Sequence, residues 1–291
     1  MDRGLGMKDS FYIKNGVLKR KPEHKRYLKQ LTCDTDTLIL DNTAGLKFYQ
    51  ELLIVWGVDY GQNSYPSRGF IKEVKKDTVI LFSPLSGCYE PGYLVTNIYN
   101  TLHTGGNYRR NITIDSVIFY GNSGQNRITN DWRINTNIVA RGWDNLIVNC
   151  SFYNIPNENI IYCGTDIVNN KGLQLDGSFT HKSCSPNVYG GVSLIPHDTI
   201  KGNYVEEICL DGNPSNGHCQ GALTYSLYSI NSFVFGNRFI RGREFAIGVN
   251  GADDGGNIYD DNIFDTFLKG LTAGDGDDII KPNNIIVNTG Y

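Results

Sequence analysis

The sequence predicts an all-β chain built mainly as a stacked solenoid, on three observations. Apolar residues alternate over short runs, as half-buried strands require, and no run holds a helical period. One stretch returns to its own beginning: NIVARGWDNLIVNCSFYNIPNENIIYCG, from Asn137 to Gly164, closes a lap in about 22 residues. The features of that lap then recur down the chain, which is how stacked repeats announce themselves.

Within the founding lap, NIVARG is the first strand and WDN a turn. LIVN follows, CSFYN bends away at Asn149, and the turn IPNEN leads into NIIYCG, a second copy of NIVARG. Lap-opening strands are expected again at GGVSLIP from Gly190, QGALTYS from Gln220, EFAIGVN from Glu244 and KGLTAG from Lys269. Their spacings are about 31, 30, 24 and 25 residues. The bend recurs at Asn122, Asn149, Asn203, Asn237, Asn262 and Asn288. Asn and Gly tolerate the left-handed backbone of a corner, and stacked Asn side chains can bond from lap to lap.

This pattern, from about Asn111 to Tyr291, resembles the right-handed single-stranded parallel β-helix of the pectate-lyase-like superfamily. That family includes polysaccharide lyases, glycoside hydrolases, uronate epimerases and phage tailspikes. The resemblance implies a fold more firmly than a reaction.

The remainder is expected to be an N-terminal cap and small antiparallel β region over residues 1–105, with the β-helix over 106–291. PEHKRYLKQL, from Pro22, fits a short helix with Pro in its first turn. Such a helix would cover the exposed edge of the stack. Its basic run reads as a solvated face. Over residues 37–91, TLIL, YQELLIVWG and GFIKEVKKDTVILF read as antiparallel strands between Gly/Asn/Ser turns, with Phe11, Trp56 and Tyr60 as anchors. This string resembles a small β-barrel excursion near the start of many phage β-helix proteins. Residues 92–110 read as a connecting loop, and 124–137 as a long polar turn.

A net charge of -3 with mixed signs argues against a nucleic-acid groove. The 33 glycines suit a chain of turns, and the 18 tyrosines suit strands, some of them placed to stack on sugar rings. Seven cysteines without framework spacing read as buried free thiols, Cys150, Cys163 and Cys209 among them. No CxxC pair suggests zinc. No apolar run approaches membrane-spanning length. The N-terminus MDRGLGMKDSFYIKNG has no secretory h-region, so synthesis in a cytoplasm is expected; the resemblance to tailspikes implies a virion protein of a phage tail made in the host cytoplasm, with a secreted or cell-surface protein as the alternative.

Chemistry in a solenoid assembles vertically, because equivalent residues in neighbouring laps stack about 4.8 Å apart. The turns after the lap-opening strands carry Asp144, Asp166, His197 with Asp198, Tyr225 and Tyr228, Asp253 with Asp254, then Asp275, Asp277 and Asp278. Aligned, they form an acidic stripe with a histidine in its middle. Glycoside hydrolysis uses two carboxyl groups about 5–9.5 Å apart, which makes Asp166, His197, Asp198, Asp253 and Asp254 the candidate catalytic set. A lyase or epimerase instead needs a base such as His197 or a tyrosine, with Arg141 to neutralise a uronate carboxylate. IPHD, Ile195 to Asp198, resembles the DPHD or DPHE motif of alginate C5-epimerases, except that Ile195 stands in place of the first Asp. Substrate-binding candidates are Trp132, Arg133, Arg141, Tyr162, Tyr225 and Tyr228. Turn aspartates are also ordinary turn formers, and Asp275, Asp277 and Asp278 suit either a terminal loop or calcium. No cofactor is expected otherwise. His181 is expected to be exposed in an irregular insertion. The expected function is binding and depolymerisation of a bacterial surface polysaccharide by a tail-associated protein. The alternatives are a non-catalytic adhesin or structural virion protein, and a polysaccharide lyase or uronate epimerase. The tailspike resemblance implies a homotrimer and contact with other virion proteins; the lack of a membrane-spanning apolar run leads to an expectation of no membrane insertion.

Overall fold

A computed structural model of the chain describes residues 11–19, 26–55, 67–96, 102–103, 109–121, 136–156, 158–184, 197–210, 221–226, 232–243, 245–250, 256–267, 269–271 and 277–287. These residues form strands and turns, with no helix among them. They fall into two compact units. One comprises Met1–Lys21, Asn100–Arg127 and Thr136–Tyr291; the other comprises Pro22–Tyr99 and Ile128–Asn135.

The larger unit is a parallel β-helix whose coils carry three strand faces. The first face is built from the opening halves of Ile138–Val148 and Ile160–Val168, then Thr180–Lys182, Gly221–Ser226, Phe245–Asn250 and Lys269–Leu271. The second runs through Phe11–Lys14, Ile112–Asp115, the closing halves of the same two long strands, Asp198–Lys201, Ser232–Phe235, Ile258–Asp260 and Ile279–Ile280. The third stacks Val17–Lys19, Ile118–Tyr120, Ser151–Ile155, Lys171–Leu175, Tyr204–Ile208, Arg238–Gly242, Ile263–Asp265 and Ile285–Val287. All these pairings are parallel.

The corner between second and third faces repeats one device. A residue with left-handed backbone comes first: Asn149 (φ 54), Asn169 (φ 54), Gly202 (φ 65), Gly236 (φ 64) or Asp261 (φ 52). The next residue, Cys150, Asn170, Asn203, Asn237 or Asn262, turns inward and is buried. Each backbone N–H of these donates to the Asn Oδ1 one coil on, from Cys150 N to Asn170 (2.8 Å) through Asn262 N to Asn284 (3.1 Å). Each Asn Nδ2 also donates to a second-face carbonyl, Asn203 to Ile167 O at 2.9 Å for one. The ladder thus supplies partners to corner groups that would otherwise be buried and unpaired. Asn203, Asn237 and Asn262 are rungs as expected. Asn149 is not: it holds the left-handed position, and Cys150 occupies the rung. Asn122 and Asn288 lie outside the described residues.

The interior is a column of rings and branched aliphatics. Phe119 stacks on Phe152 (5.1 Å) and Phe239 on Phe264 (5.4 Å), with Phe179 between the two pairs. Ile114, Ile147, Ile167, Ile200 and Val234 line the second face inside.

Several expectations are corrected. Residues 11–19 form a coil of the β-helix, not part of a cap. Where a helix was expected from Pro22, Arg26–Tyr27 is a strand of the smaller unit. Tertiary pairing overrides local propensity there, and buried Arg26 donates from Nη2 to Ala44 O at 2.6 Å. The smaller unit is a six-stranded antiparallel sheet in the order Arg26–Tyr27, Leu94–Thr96, Glu51–Val55, Ser67–Val74, Thr78–Leu81, Thr37–Ile39. Trp56 and Tyr60 lie outside the described residues. The cysteines are largely oxidised. Cys33 bonds Cys88, Cys163 bonds Cys184, and Cys209 is also in a disulfide. Coil stacking brings Cys163 and Cys184, 21 residues apart, to a Cα–Cα distance of 5.5 Å, a proximity invisible in linear spacing. Among the described residues Cys150 is the free thiol, and burial pushes its pKa up to about 11.

Candidate functional site

The lap register on the first face differs from the sequence expectation, and the acidic stripe changes with it. First-face strands open at Ile138, Ile160, Thr180, Gly221, Phe245 and Lys269. The strand after Ile160–Val168 is Thr180–Lys182, about 20 residues on, and the next lies about 41 residues beyond that. GGVSLIP falls in the intervening segment, outside the described residues.

Because side chains alternate along a strand, a one-residue offset exchanges inside for outside. Ile167 pairs with Ile200, which sets Asp166 beside Thr199 and Thr165 beside Asp198. Asp166 therefore points outward, half-buried, and its Oδ1 accepts the Thr199 N–H at 2.7 Å. Asp198 points inward and is 1% exposed. The two are on opposite sides of one sheet and form no catalytic pair. Asp198 Oδ1 accepts the Thr165 N–H (2.7 Å), and its Oδ2 lies 2.5 Å from Lys182 Nζ, both side chains being fully buried. Burial raises the Asp198 pKa above its ordinary value, against the pull of Lys182.

Tyr162 and Tyr225 are also interior, at 0% and 1% exposure, and are corrected from substrate-binding residues to core residues. Lys182 lies between them in register. Burial raises both phenol pKa values. Arg141 is half-buried on the outside of the first face and donates to Ser183 Oγ at 3.0 Å. His197 is exposed just ahead of Asp198. Asp278 accepts the Asn257 N–H at 2.9 Å, a structural bond from one coil to the next. Trp132, Arg133, Tyr228, Asp253 and Asp254 lie outside the described residues. His181, expected to be exposed, is buried at 2% with Nδ1 3.5 Å from Glu158 Oε1.

The outward side of the third face gathers a different group. Two columns stand side by side across the coils. One runs Ile118, Ser151, Lys171, Tyr204, Arg238 and the other Lys19, Tyr120, Tyr153, Leu173, Glu206, Ile240. Tyr120 and Tyr153 stack at 5.2 Å, and Lys19 Nζ lies 5.4 Å from the Tyr120 ring. Three coils on, the Arg238 guanidinium sits 5.9 Å from the Tyr204 ring. Glu206 accepts from the Tyr204 hydroxyl and from Arg241 Nη2, and Glu207 reaches the same guanidinium at 3.6 Å. The Tyr204 hydrogen bond, more than Arg241, holds the Glu206 carboxyl below its ordinary range. Tyr120 and Tyr204 are 37% and 38% exposed, so their rings are available to a ligand.

The backbone marks this place too. Glu207 and Arg241 both adopt left-handed conformations (φ 56 each), in the column that also holds Asn154 (φ 49) and Gln174 (φ 58). A charged residue there is uncommon and costs about 1 kcal/mol or more over glycine. The conformation sends both side chains toward one ion pair. Sequence reasoning passed over this group because no local motif joins residues 19, 120, 153, 204, 238 and 241. A search for outward positions of equal register would find it.

No family model and no curated protein matches the chain by sequence. Solved structures similar to it include the tailspike protein gp49 from Pseudomonas phage LKA1 (12% identity, TM-score 0.26, 89% of this chain and 50% of that one). Another is the gp54 tailspike of Acinetobacter baumannii bacteriophage AP22, in complex with A. baumannii capsular saccharide (10%, 0.26, 96% and 59%). The Pseudomonas phage phi297 tailspike gp61 is similar at 10%, 0.24, 95% and 59%. The chain spans half to three fifths of the length of these proteins. At such scores the fold assignment rests on the strand pairing described above.

Proposed function

We propose that this chain is a phage tail-associated protein that binds a bacterial surface polysaccharide along the outward side of its third face. The observation that carries the reading is the set of outward rings on one face, with exposed Tyr120 stacked on half-buried Tyr153 in one column and exposed Tyr204 in the neighbouring column, beside Lys19, Arg238, Arg241 and Glu206. Ring faces supply apolar contact at low entropy cost. The flanking charges and the Glu206 carboxylate supply hydrogen bonds to hydroxyl and carboxylate groups. A repeating ligand suits a repeating surface. The phage-tail placement is part of the proposal and follows the resemblance of the lap pattern to tailspikes.

Binding, not cleavage, is the function put forward, because the two candidate acids among the described residues, Asp166 and Asp198, do not pair. Asp166 and Asp198 face opposite ways, and Asp198 is locked to a lysine. Titration calorimetry against a panel of capsular polysaccharides tests the proposal. A Tyr120→Ala/Tyr153→Ala double variant and Tyr204→Ala should each weaken binding at least about tenfold, the loss of ~1.4 kcal/mol. The thermal midpoint should hold, since the rings contribute little to the core. Unchanged affinity in both variants would contradict it, and polysaccharide fragments in the reaction would restore the depolymerase reading.

A further inference from the structure

Lys182 and Asp198 are fully buried inside the β-helix, and no step of the binding proposal uses them. We propose that the two side chains become joined by an amide bond, so that the chain carries an internal Lys–Asp cross-link. This inference is independent of the polysaccharide reading.

The geometry is that of reactants already held together. Lys182 Nζ stands 2.5 Å from Asp198 Oδ2, so the nitrogen is held directly against the carboxyl group. The other oxygen, Oδ1, accepts the Thr165 N–H at 2.7 Å. Ser232 Oγ holds Nζ from a further side at 3.1 Å. Tyr162 and Tyr225 flank Lys182 in register, and both members of the pair are buried. Side chains fixed in contact react with effective molarities of about 10⁵ M or more.

The step balances without a co-reactant. The ammonium gives a proton to the carboxylate, leaving a neutral amine and a carboxylic acid. The amine nitrogen attacks Asp198 Cγ, and a C–N bond forms. Charge develops on Oδ1, where the Thr165 N–H is already aimed, as an oxyanion donor is. The Cγ–Oδ2 bond then breaks, Oδ2 leaves as water with the second amine proton, and an amide remains. The reaction removes two charges from a site where burying them is costly. It also sets Asp198, whose protonated form burial already favours, to work as the electrophile.

Its place in the fold gives the cross-link a purpose. Lys182 ends a first-face strand and Asp198 begins the second-face strand of the same coil. Residues 183–197 separate them, the longest interval between first and second faces in the stack; the corresponding intervals after Ser226, Asn250 and Leu271 are five to seven residues. Cys163–Cys184 fastens the start of this interval to the preceding coil. An amide between its two ends would close it covalently.

Intact-mass spectrometry of the folded wild-type chain, after reduction and denaturation, decides the matter. The expected mass is that of the sequence less one water, with a branched proteolytic peptide joining the Lys182 and Asp198 segments. Lys182→Arg, which keeps the charge pair, and Asp198→Ala should both return to full mass. A wild-type chain of full sequence mass would overturn the proposal, as would a water loss that maps elsewhere.

Discussion

Two inner corners of the β-helix solve the same problem differently. Between second and third faces, one residue type does nearly all the work: Asn170, Asn203, Asn237, Asn262 and Asn284 hand hydrogen bonds from coil to coil. Between first and second faces the corresponding positions are Asn145, Thr165, Asp198, Ser232, Asn257 and Asp278. There the N–H groups of Ile112, Thr165, Ser232 and Asn257 are taken by Asn145, Asp198, Asn257 and Asp278. The bonding logic is shared. The first corner is uniform and tight, whereas the second is chemically mixed and admits insertions. A ladder of identical amides leaves no room for an extra residue. A mixed ladder tolerates long excursions if some coil supplies a stronger tie, and Lys182–Asp198 is that tie.

The largest test of this contrast is Asp198→Ala. It strands the Lys182 amine in the interior and should lower stability by about 3–5 kcal/mol in chemical denaturation. A loss below about 1 kcal/mol would mean that the mixed corner is not held by this pair. Next comes Asn203→Ala in the uniform corner. It deprives the Asn170 N–H of its acceptor and the Ile167 carbonyl of a donor. The expected cost is about 2–4 kcal/mol, read from the same unfolding curves. The smallest effects should come from the left-handed residues. At Gly202 an added Cβ would meet Asn169 Oδ1 at 2.5 Å, so Gly202→Ala should cost about 1–2 kcal/mol. Asn149→Gly, at the equivalent place, should change stability by only a few tenths, about 0.5 kcal/mol at most.

The same contrast explains what could be read from sequence. The lap of residues 137–164 and the rungs Asn203, Asn237 and Asn262 were legible because the uniform corner writes the same letters each time. Asn149 misled by one position because cysteine replaces the amide at that rung. The first face failed at Thr180–Lys182. Its interior carries Thr180 and Lys182, so the strand lacks the apolar alternation that marks its neighbours, and GGVSLIP mimicked it ten residues later. That slip carried Asp198 into an outward stripe, although the pairing with Lys182 holds it inside. The third-face site was illegible for a different reason. Its residues share only a register, and the left-handed Glu207 and Arg241 give no local signal. The disulfides were hidden likewise, since only coil stacking brings Cys163 to Cys184.

The central claim is that the outward third face holds the polysaccharide. Its most direct test is photo-cross-linking with a capsular polysaccharide carrying diazirine groups, followed by peptide mapping of the labelled chain. The account predicts label on the peptides containing Tyr120, Tyr153 and Tyr204, suppressed by excess unmodified polysaccharide. Competed label confined to the peptides that contain His197 or residues 251–255 would contradict it and return the site to the acidic residues read from sequence.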